Sequence, residues 1–203
     1  TSSENESKEL MNLFDSSFVK TQKDQALKQL EAAQSSDGGF AWFGGGKTDA
    51  YITLVVLNGL AEAKSHGVQI PDALVNKALN YIKSGFGKEK KYDRGSVSLL
   101  AYASYALSGF PDKLGELRPL LESWLKTINS QRPILTPYGK AYVASVYHRL
   151  GDKKKAEEFL DLALEGAKED KITGTYWTPE KESWMWFNDS TENPKKSSGQ
   201  RLY

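Results

Sequence analysis

The feature that most constrains this fold is a strict alternation of two apolar patterns along the chain. Four segments carry one apolar stripe at helical spacing opposite a charged side, and three others are apolar on nearly every side. The stripes are Ala26/Leu27/Leu30/Ala33, Leu74/Val75/Ala78/Leu79/Ile82, Leu117/Leu120/Leu121/Trp124/Leu125/Ile128 and Ala156/Phe159/Leu160/Ala163/Leu164/Ala167, and the all-round segments are Tyr51–Ala63, Val97–Leu107 and Ala141–Leu150. A helix that is apolar all round must be buried all round. The order therefore predicts an all-α fold with an outer layer of helices wrapped on an inner layer.

The β-branched run at Tyr51–Leu57 could instead form a buried strand, because β-branched residues favour strands. The apolar pattern continues to Ala63, however, which is too long for a typical strand. The corresponding segments at 97–107 and 141–150 are rich in Ala and Leu. We therefore predict helices for all three.

Each all-round segment is followed by a glycine, at Gly67, Gly109 and Gly151, with a spacing of 42 residues. Glycine commonly follows a helix because it tolerates the left-handed conformation. A repeat of this length indicates stacked helical hairpins. A tetratricopeptide array would need a period of 34 residues, so that scaffold does not fit.

The longer connections join one hairpin to the next and are rich in Gly and aromatic residues. They are residues 34–48, 84–94, 129–138 and 170–189. In an alternating array these four links lie at one end, which we call the link face. Thr48-Asp49 and Thr136-Pro137 are typical N-cap and first-turn pairs, so the inner helices also begin there. If the protein has a working face, we predict this end.

Aromatic side chains cluster in the links, beside the tight turn that Asp37-Gly38-Gly39 predicts. The candidate interaction face consists of Asp37, Phe40, Trp42, Phe43, Tyr92, Tyr138, Trp177, Trp184 and Trp186. Packing between adjacent hairpins is the simpler explanation for these aromatic clusters. A ligand or partner surface is the alternative.

Composition excludes several classes of site. The 203 residues contain 27 Lys+Arg and 26 Asp+Glu, so a net charge of +1 gives no bulk attraction for nucleic acid or anionic lipid. With no Cys, the chain cannot form disulfides, thiolate metal sites or a cysteine nucleophile, and with two His a metal site is disfavoured. We predict no cofactor. His66 lies near a helix end, and we expect His148 to be a packed residue of an inner helix.

Carboxylates in and beside the links are the candidates for chemistry. An α/α enzyme would place its acid and base at this end, and the available groups are Asp37, Asp49, Asp93, Glu182 and Asp189. A turn residue is the simpler role for Asp37, and a favourable first-turn charge the simpler role for Asp49. We therefore predict no catalytic residue.

Several of these motifs together are similar to the thioester domain of bacterial alpha-2-macroglobulins. The matching segments are Leu10–Asp15, Gln34–Phe43, Asp49–Thr53, Val56–Ala61, Gly174–Trp177 and Ser183–Phe187. The resemblance covers residues 5–192 and rests on the order and spacing of the motifs. It implies an α/α toroid, which agrees with the two-layer alternation. The sequence departs from the family after Glu192, so we assign residues 1–192 to an incomplete toroid and residues 193–203 to a flexible tail.

The resemblance also implies a function. Alpha-2-macroglobulins are multidomain protease traps, which bacteria hold on the periplasmic side of the cell envelope, and a Cys–Gln thioester captures the target. The family's Cys-x-Glu-Gln motif should lie upstream of Asp37, but these residues contain no such motif, so no reactive residue is carried over. We expect a non-enzymatic structural module. Its partners would be other domains of its parent chain and, through the parent, target proteases, with no nucleic acid and no membrane contact.

Two further expectations follow. The alternative to a trap module is an α/α-toroid enzyme acting on a polysaccharide or terpenoid, with Asp37, Asp93 or Glu182 as acid or base. An incomplete ring should also expose apolar helix faces at the two ends of the array and self-associate through them.

Overall fold

The computed structural model describes residues 16–87, 91–171 and 174–177. Seven α-helices make up most of this part of the chain, which confirms the all-α class. They are α1 (Ser16–Ala33), α2 (Ala50–Ser65), α3 (Asp72–Gly85), α4 (Arg94–Ser108), α5 (Leu114–Ser130), α6 (Pro137–Leu150) and α7 (Lys153–Leu164). Single 3-10 turns at Pro111–Lys113 and Arg132–Ile134 precede α5 and α6.

Two short antiparallel hairpins accompany the helices. In the first, β1 (Phe40–Ala41) pairs with β2 (Thr48–Asp49), with Phe40 opposite Asp49. In the second, β3 (Lys168–Asp170) pairs with β4 (Gly174–Tyr176) after the last described helix. The first hairpin lies between α1 and α2, and the two hairpins form separate two-stranded sheets.

The helices pack in two layers, as the alternating patterns predict. The inner helices form a row in which α2 contacts α4 and α4 contacts α6. Each is covered by the helix that follows it in sequence: α3 packs on α2, α5 on α4, and α7 on α6. Among the described residues this row has three inner helices, and its closure into a ring stays a prediction.

Burial distinguishes the two layers. The inner helix α4 buries nine of its 15 residues, including the hydroxyls of Ser98 and Ser104. The outer helix α7 buries three of its 12 residues, all on one side. The continuous core therefore lies between the layers, and it extends from Phe40 in β1 to Phe159 in α7.

The predicted N-cap is confirmed for α6, and for α2 it lies one residue later than predicted. The Thr136 hydroxyl accepts a hydrogen bond from the Gly139 N–H at 3.0 Å, and Pro137 occupies the first helical position, as expected. In the other pair the N-cap is Asp49, whose carboxylate accepts from the Ile52 N–H at 3.1 Å. Thr48 lies in β2 instead of capping α2.

The three repeat glycines do not share one role. Gly67 and Gly151 have φ of 82° and 89°, so both adopt the left-handed conformation expected after a helix. Gly109 has φ of −71°, which any residue can adopt, and the expected left-handed end is wrong there. A Cβ at Gly109 would lie 2.7 Å from the Ala61 Cβ, so this glycine permits close approach of α4 and α2.

The apolar stripe of α7 is shorter than predicted. The helix ends at Leu164, and Gly166 with φ of 82° turns the chain into β3, so Ala167 lies outside the helix. This hairpin was not predicted, because its charged strand Lys168–Asp170 has no apolar alternation. The proposed boundary between residues 1–192 and 193–203 lies outside the described residues.

Candidate interaction face

Hydrogen bonds from two polar side chains fix the first link. The Gln34 side-chain amide donates to the carbonyls of Gly38 and Leu74, both at 3.0 Å, and so ties the link to α3. One Asp37 carboxylate oxygen accepts from the Gly39 N–H at 3.0 Å, and the other accepts from the Thr48 hydroxyl at 2.7 Å. Asp37 is therefore a turn residue, as its simpler role predicts.

The two glycines of this turn lie against other parts of the chain. Gly38 has φ of 90°, and a Cβ there would be 2.3 Å from the Lys77 carbonyl oxygen. A Cβ at Gly39 would be 2.9 Å from the Thr48 Cβ. Because only glycine fits both positions, the Gly-Gly pair lets the link pack directly on α3 and β2.

Phe40 belongs to the core. Its side chain is 3 % exposed, and its N–H donates to the buried Thr53 hydroxyl at 2.9 Å. Thr53 in turn donates to the Asp49 carbonyl at 2.8 Å, which joins the hairpin to the start of α2. Phe40 is therefore not part of the candidate interaction face, and the packing interpretation is correct for this residue.

Trp42, Phe43 and Tyr138 remain exposed, at 51 %, 73 % and 71 %. The Trp42 ring stacks on Tyr51, with centroids 6.3 Å apart and an interplanar angle of 24°. Phe43 lies next to Gly44 at the turn of the first hairpin, and Tyr138 is the second residue of α6. With Tyr176 of the last link, which is 42 % exposed, these are the exposed aromatic side chains among the described residues of the link face.

A row of tyrosines extends from Trp42 across the inner helices. The centroid of Tyr102 lies 6.2 Å from that of Tyr51 and 5.3 Å from that of Tyr142, and Tyr105 lies 5.0 Å from Tyr142. Burial, and to a lesser extent the neighbouring phenols, raise the pKa of Tyr102 to about 12. Burial also raises the pKa of Tyr142, so Tyr102 and Tyr142 are neutral at physiological pH.

The row of tyrosines was not predicted. From the sequence, these residues were only members of the helices that are apolar on nearly every side. Tyrosine differs from the surrounding Ala and Leu by its hydroxyl. In a buried tyrosine this hydroxyl needs a hydrogen-bond partner or must stay near solvent. Tyr51, Tyr102 and Tyr142 are only half-buried. Tyrosine in an otherwise aliphatic inner helix was the available signal that one side of the layer is not fully covered.

Two other candidate residues brace the links. The Tyr92 hydroxyl donates to the Gly87 carbonyl at 3.2 Å, and the Trp177 indole N–H donates to the Ala163 carbonyl at 2.8 Å. Both side chains are half-buried, which fits a packing role. Trp184 and Trp186 lie outside the described residues.

The candidate carboxylates that the structure describes accept hydrogen bonds from backbone N–H groups. Asp49 caps α2, and Asp93 caps α4 by accepting from the Ser96 N–H at 2.8 Å. That hydrogen bond lowers the pKa of Asp93, which suits an ionised cap and opposes a role as general acid. Glu182 and Asp189 lie outside the described residues.

The histidines lie apart from these groups. His148 is exposed on α6, so the expectation of a packed histidine is wrong: it falls on a side of the helix that no described element covers. The His66 ring nitrogen is 3.1 Å from a Glu62 carboxylate oxygen one turn earlier, and both side chains are exposed. Within the described ranges, no group of three or more metal-ligating side chains comes together. No helix there is both long and apolar enough to cross a membrane.

Solved structures with this fold come from bacterial alpha-2-macroglobulins. The native E. coli protein, determined by cryo-electron microscopy, matches 73 % of this chain with 20 % identity and a TM-score of 0.55. A crystal structure of the native E. coli protein from domain MG7 to the C-terminus matches 70 % with 21 % identity and a TM-score of 0.53. The trypsin-activated E. coli protein matches 68 % with 20 % identity and a TM-score of 0.52.

These similarities support the resemblance at the level of the fold. This chain covers 10 % of the first and third of those chains and 23 % of the second, so it spans only a small part of their length. No protein-family model matches the sequence, and no curated protein is significantly similar to it.

Proposed function

We propose that this chain is a non-enzymatic interaction module of an alpha-2-macroglobulin-like protease inhibitor, and that it corresponds to a segment of the thioester-type toroid domain. The observation that carries the proposal is the fold similarity to native E. coli alpha-2-macroglobulin over 73 % of the chain. The engagement of Asp37, Asp49 and Asp93 in turns and caps supports a non-enzymatic role. By the same resemblance, the protein works outside the cytoplasm, in the periplasm or cell envelope.

The link face would contact a neighbouring domain of the same parent chain. Trp42, Phe43 and Tyr138 supply exposed aromatic area, which is the kind of side chain that dominates binding energy in protein interfaces. The rigid first link holds Trp42 and Phe43 at a fixed position. Bait cleavage would then release this contact, and target proteases would be engaged through the parent protein.

The contact can be tested in the intact protein that contains this chain. The double variant Trp42→Ala/Phe43→Ala should lower protease capture at least about tenfold, because hot-spot aromatics contribute roughly 2 kcal/mol or more each. Capture is measured as the fraction of trypsin that still cleaves a small substrate but no longer cleaves a protein substrate. Val19→Ala, an exposed apolar residue of α1, is the matched control and should capture normally. Wild-type capture by the double variant would contradict the proposed contact.

A thioester needs a cysteine, and this chain has none. Its own contribution to trapping would therefore be non-covalent. Methylamine treatment of the intact protein, followed by a colorimetric thiol assay, separates two kinds of parent. Thiol release in step with lost capture would mean that another part of the parent carries the thioester, whereas capture without thiol release would mean a trap that works without one.

A further inference from the structure

A cavity of about 420 Å³ lies on the outer layer, between α5 and α7 and over the end of α6. Its volume is within the range of small-molecule sites. It is lined by Arg118, Glu122, Leu125, Lys126, Asn129, Tyr147, Leu150, Asp152 and Lys155. Three cations face two carboxylates, and among the lining residues only Asn129, at the start of the third link, belongs to the link face.

The floor of the cavity has an unused hydrogen-bond donor. Both amide hydrogens of Asn129 are engaged, since its nitrogen donates to the Leu125 carbonyl at 2.7 Å and to the Tyr147 hydroxyl at 2.6 Å. The Tyr147 oxygen is therefore an acceptor toward Asn129, and its own hydrogen has no acceptor in the described part of the chain. Tyr147 is only 5 % exposed and lines the cavity, so its hydroxyl hydrogen is available to a molecule bound there.

The carboxylates of the walls are already engaged. Glu122 lies 3.6 Å from the Arg118 guanidinium, and Asp152 lies 3.4 Å from the Lys155 ammonium and also accepts from the Lys155 N–H at 3.1 Å. Asp152 is the N-cap of α7, so its position is fixed by that helix.

The cations retain spare donors. Lys126 forms no ion pair or hydrogen bond with any other described residue, and Lys155 makes one 3.4 Å ion pair while its ammonium lies 5.1 Å from the Tyr147 ring centroid. Arg118 has five N–H donors, and its two described contacts, at 3.4 and 3.6 Å, are long. The unused capacity of the cavity therefore consists mainly of donors.

We propose that this cavity binds a small oxyanion, a compound bearing a carboxylate or phosphate group, between Lys126, Lys155 and the Tyr147 hydroxyl. An anionic oxygen would accept the buried Tyr147 hydrogen and offset the excess positive charge of the walls, and hydrogen bonds to ionised groups are among the stronger ones. This inference does not depend on the proposed role in protease trapping.

Isothermal titration calorimetry of the full chain at fixed ionic strength tests the site, with citrate as the carboxylate probe and glycerol 2-phosphate as the phosphate probe. We expect saturable binding of one molecule of at least one probe, and the tighter of the two identifies the group. Tyr147→Phe removes only the hydroxyl, and Lys126→Gln replaces the ammonium by a shorter, neutral amide side chain. Each should weaken binding about tenfold or more, because each removes a donor that contacts the charged oxygen of the bound probe.

Lys47→Gln is the matched control, because it removes the same charge from an exposed position in the first link, far along the chain from the cavity. It should bind as the wild type does. The proposal would be overturned by no saturable binding of either probe, by an equal loss in Lys47→Gln, or by unchanged affinity in both cavity variants. Lys126 is exposed, so that variant reports on binding even if Tyr147→Phe folds poorly.

Discussion

At the scale of single residues, the first link shows how little freedom a short motif can have. In the segment Gln34–Phe40, the amide of Gln34, the carboxylate of Asp37 and the two glycines each have a separate structural task. Phe40 then enters the core. This segment, one of those that resemble alpha-2-macroglobulins, therefore has a mainly structural role, and the proposed interaction surface begins only at Trp42.

Substitution of Gly38 should be strongly destabilising. In Gly38→Ala the new Cβ would overlap the Lys77 carbonyl oxygen at 2.3 Å, and φ of 90° is unfavourable for alanine. Together these effects should cost roughly 2–3 kcal/mol. The measurement is the free energy of unfolding from urea titration followed by circular dichroism.

Gly44→Ala provides the comparison for that experiment. A Cβ at Gly44 would meet no atom within 4 Å, and its φ is not positive. Its free energy of unfolding should stay within about 0.5 kcal/mol of the wild-type value. Equal midpoints for the two variants would mean that the link does not pack on α3 as described.

At the scale of elements, sequence periodicity was sufficient for the helices because each layer has its own apolar pattern. The one-sided stripe of α7 and the all-round burial of α4 follow directly from the residues that face the core. Periodicity could not give the exact cap at Asp49, the end of α7 at Leu164 or the hairpin after it. Those features depend on hydrogen bonds and on backbone conformation at single positions, which a count of apolar residues does not contain.

The sequence could name the links that would form the candidate face, because the helical patterns on either side limit them. The exposure of their aromatic residues was predictable only in part. Which aromatic residue enters the core and which stays exposed depends on side-chain direction at single positions: Phe40 in β1 turns inward, and Trp42, just after the strand, does not. The tyrosines of the inner helices were missed because their positions satisfy the same apolar pattern as leucine.

Close approach of two inner helices gives a test at this scale. Gly109→Ala should destabilise the protein by roughly 1–3 kcal/mol, because its Cβ would lie 2.7 Å from the Ala61 Cβ while the backbone angle remains allowed. Ala61→Gly should cost about 1 kcal/mol through helix propensity. In the double variant the clash is gone. Its loss of unfolding free energy should therefore be clearly smaller than the sum of the losses in the two single variants, as a double-mutant cycle would measure. Additive effects would indicate that α2 and α4 do not meet at this point.

At the scale of the whole molecule, the array has two ends that the described helices leave partly open. At the first end, an apolar cavity of about 290 Å³ separates α1 from α2 and is lined chiefly by Leu27, Leu30, Val56, Leu60 and Ile70. At the other end, Leu160 and Leu164 are exposed on α7. Stacked helical repeats bury such faces against the next repeat, and terminal units need a polar outer side to stay soluble.

The isolated chain should therefore self-associate through its ends. Static light scattering should show a mean mass that rises with protein concentration above the 22.6 kDa of one chain. Leu160→Lys/Leu164→Lys places charges on the open face of α7, and because both side chains are already exposed the fold should survive. Its mass should stay closer to that of one chain at every concentration, whereas Val55→Lys, an exposed position of α2, should associate as the wild type does. A strictly monomeric wild-type chain that binds no hydrophobic dye would show that these faces are not open in solution, since unshielded apolar area of this kind drives association at high concentration.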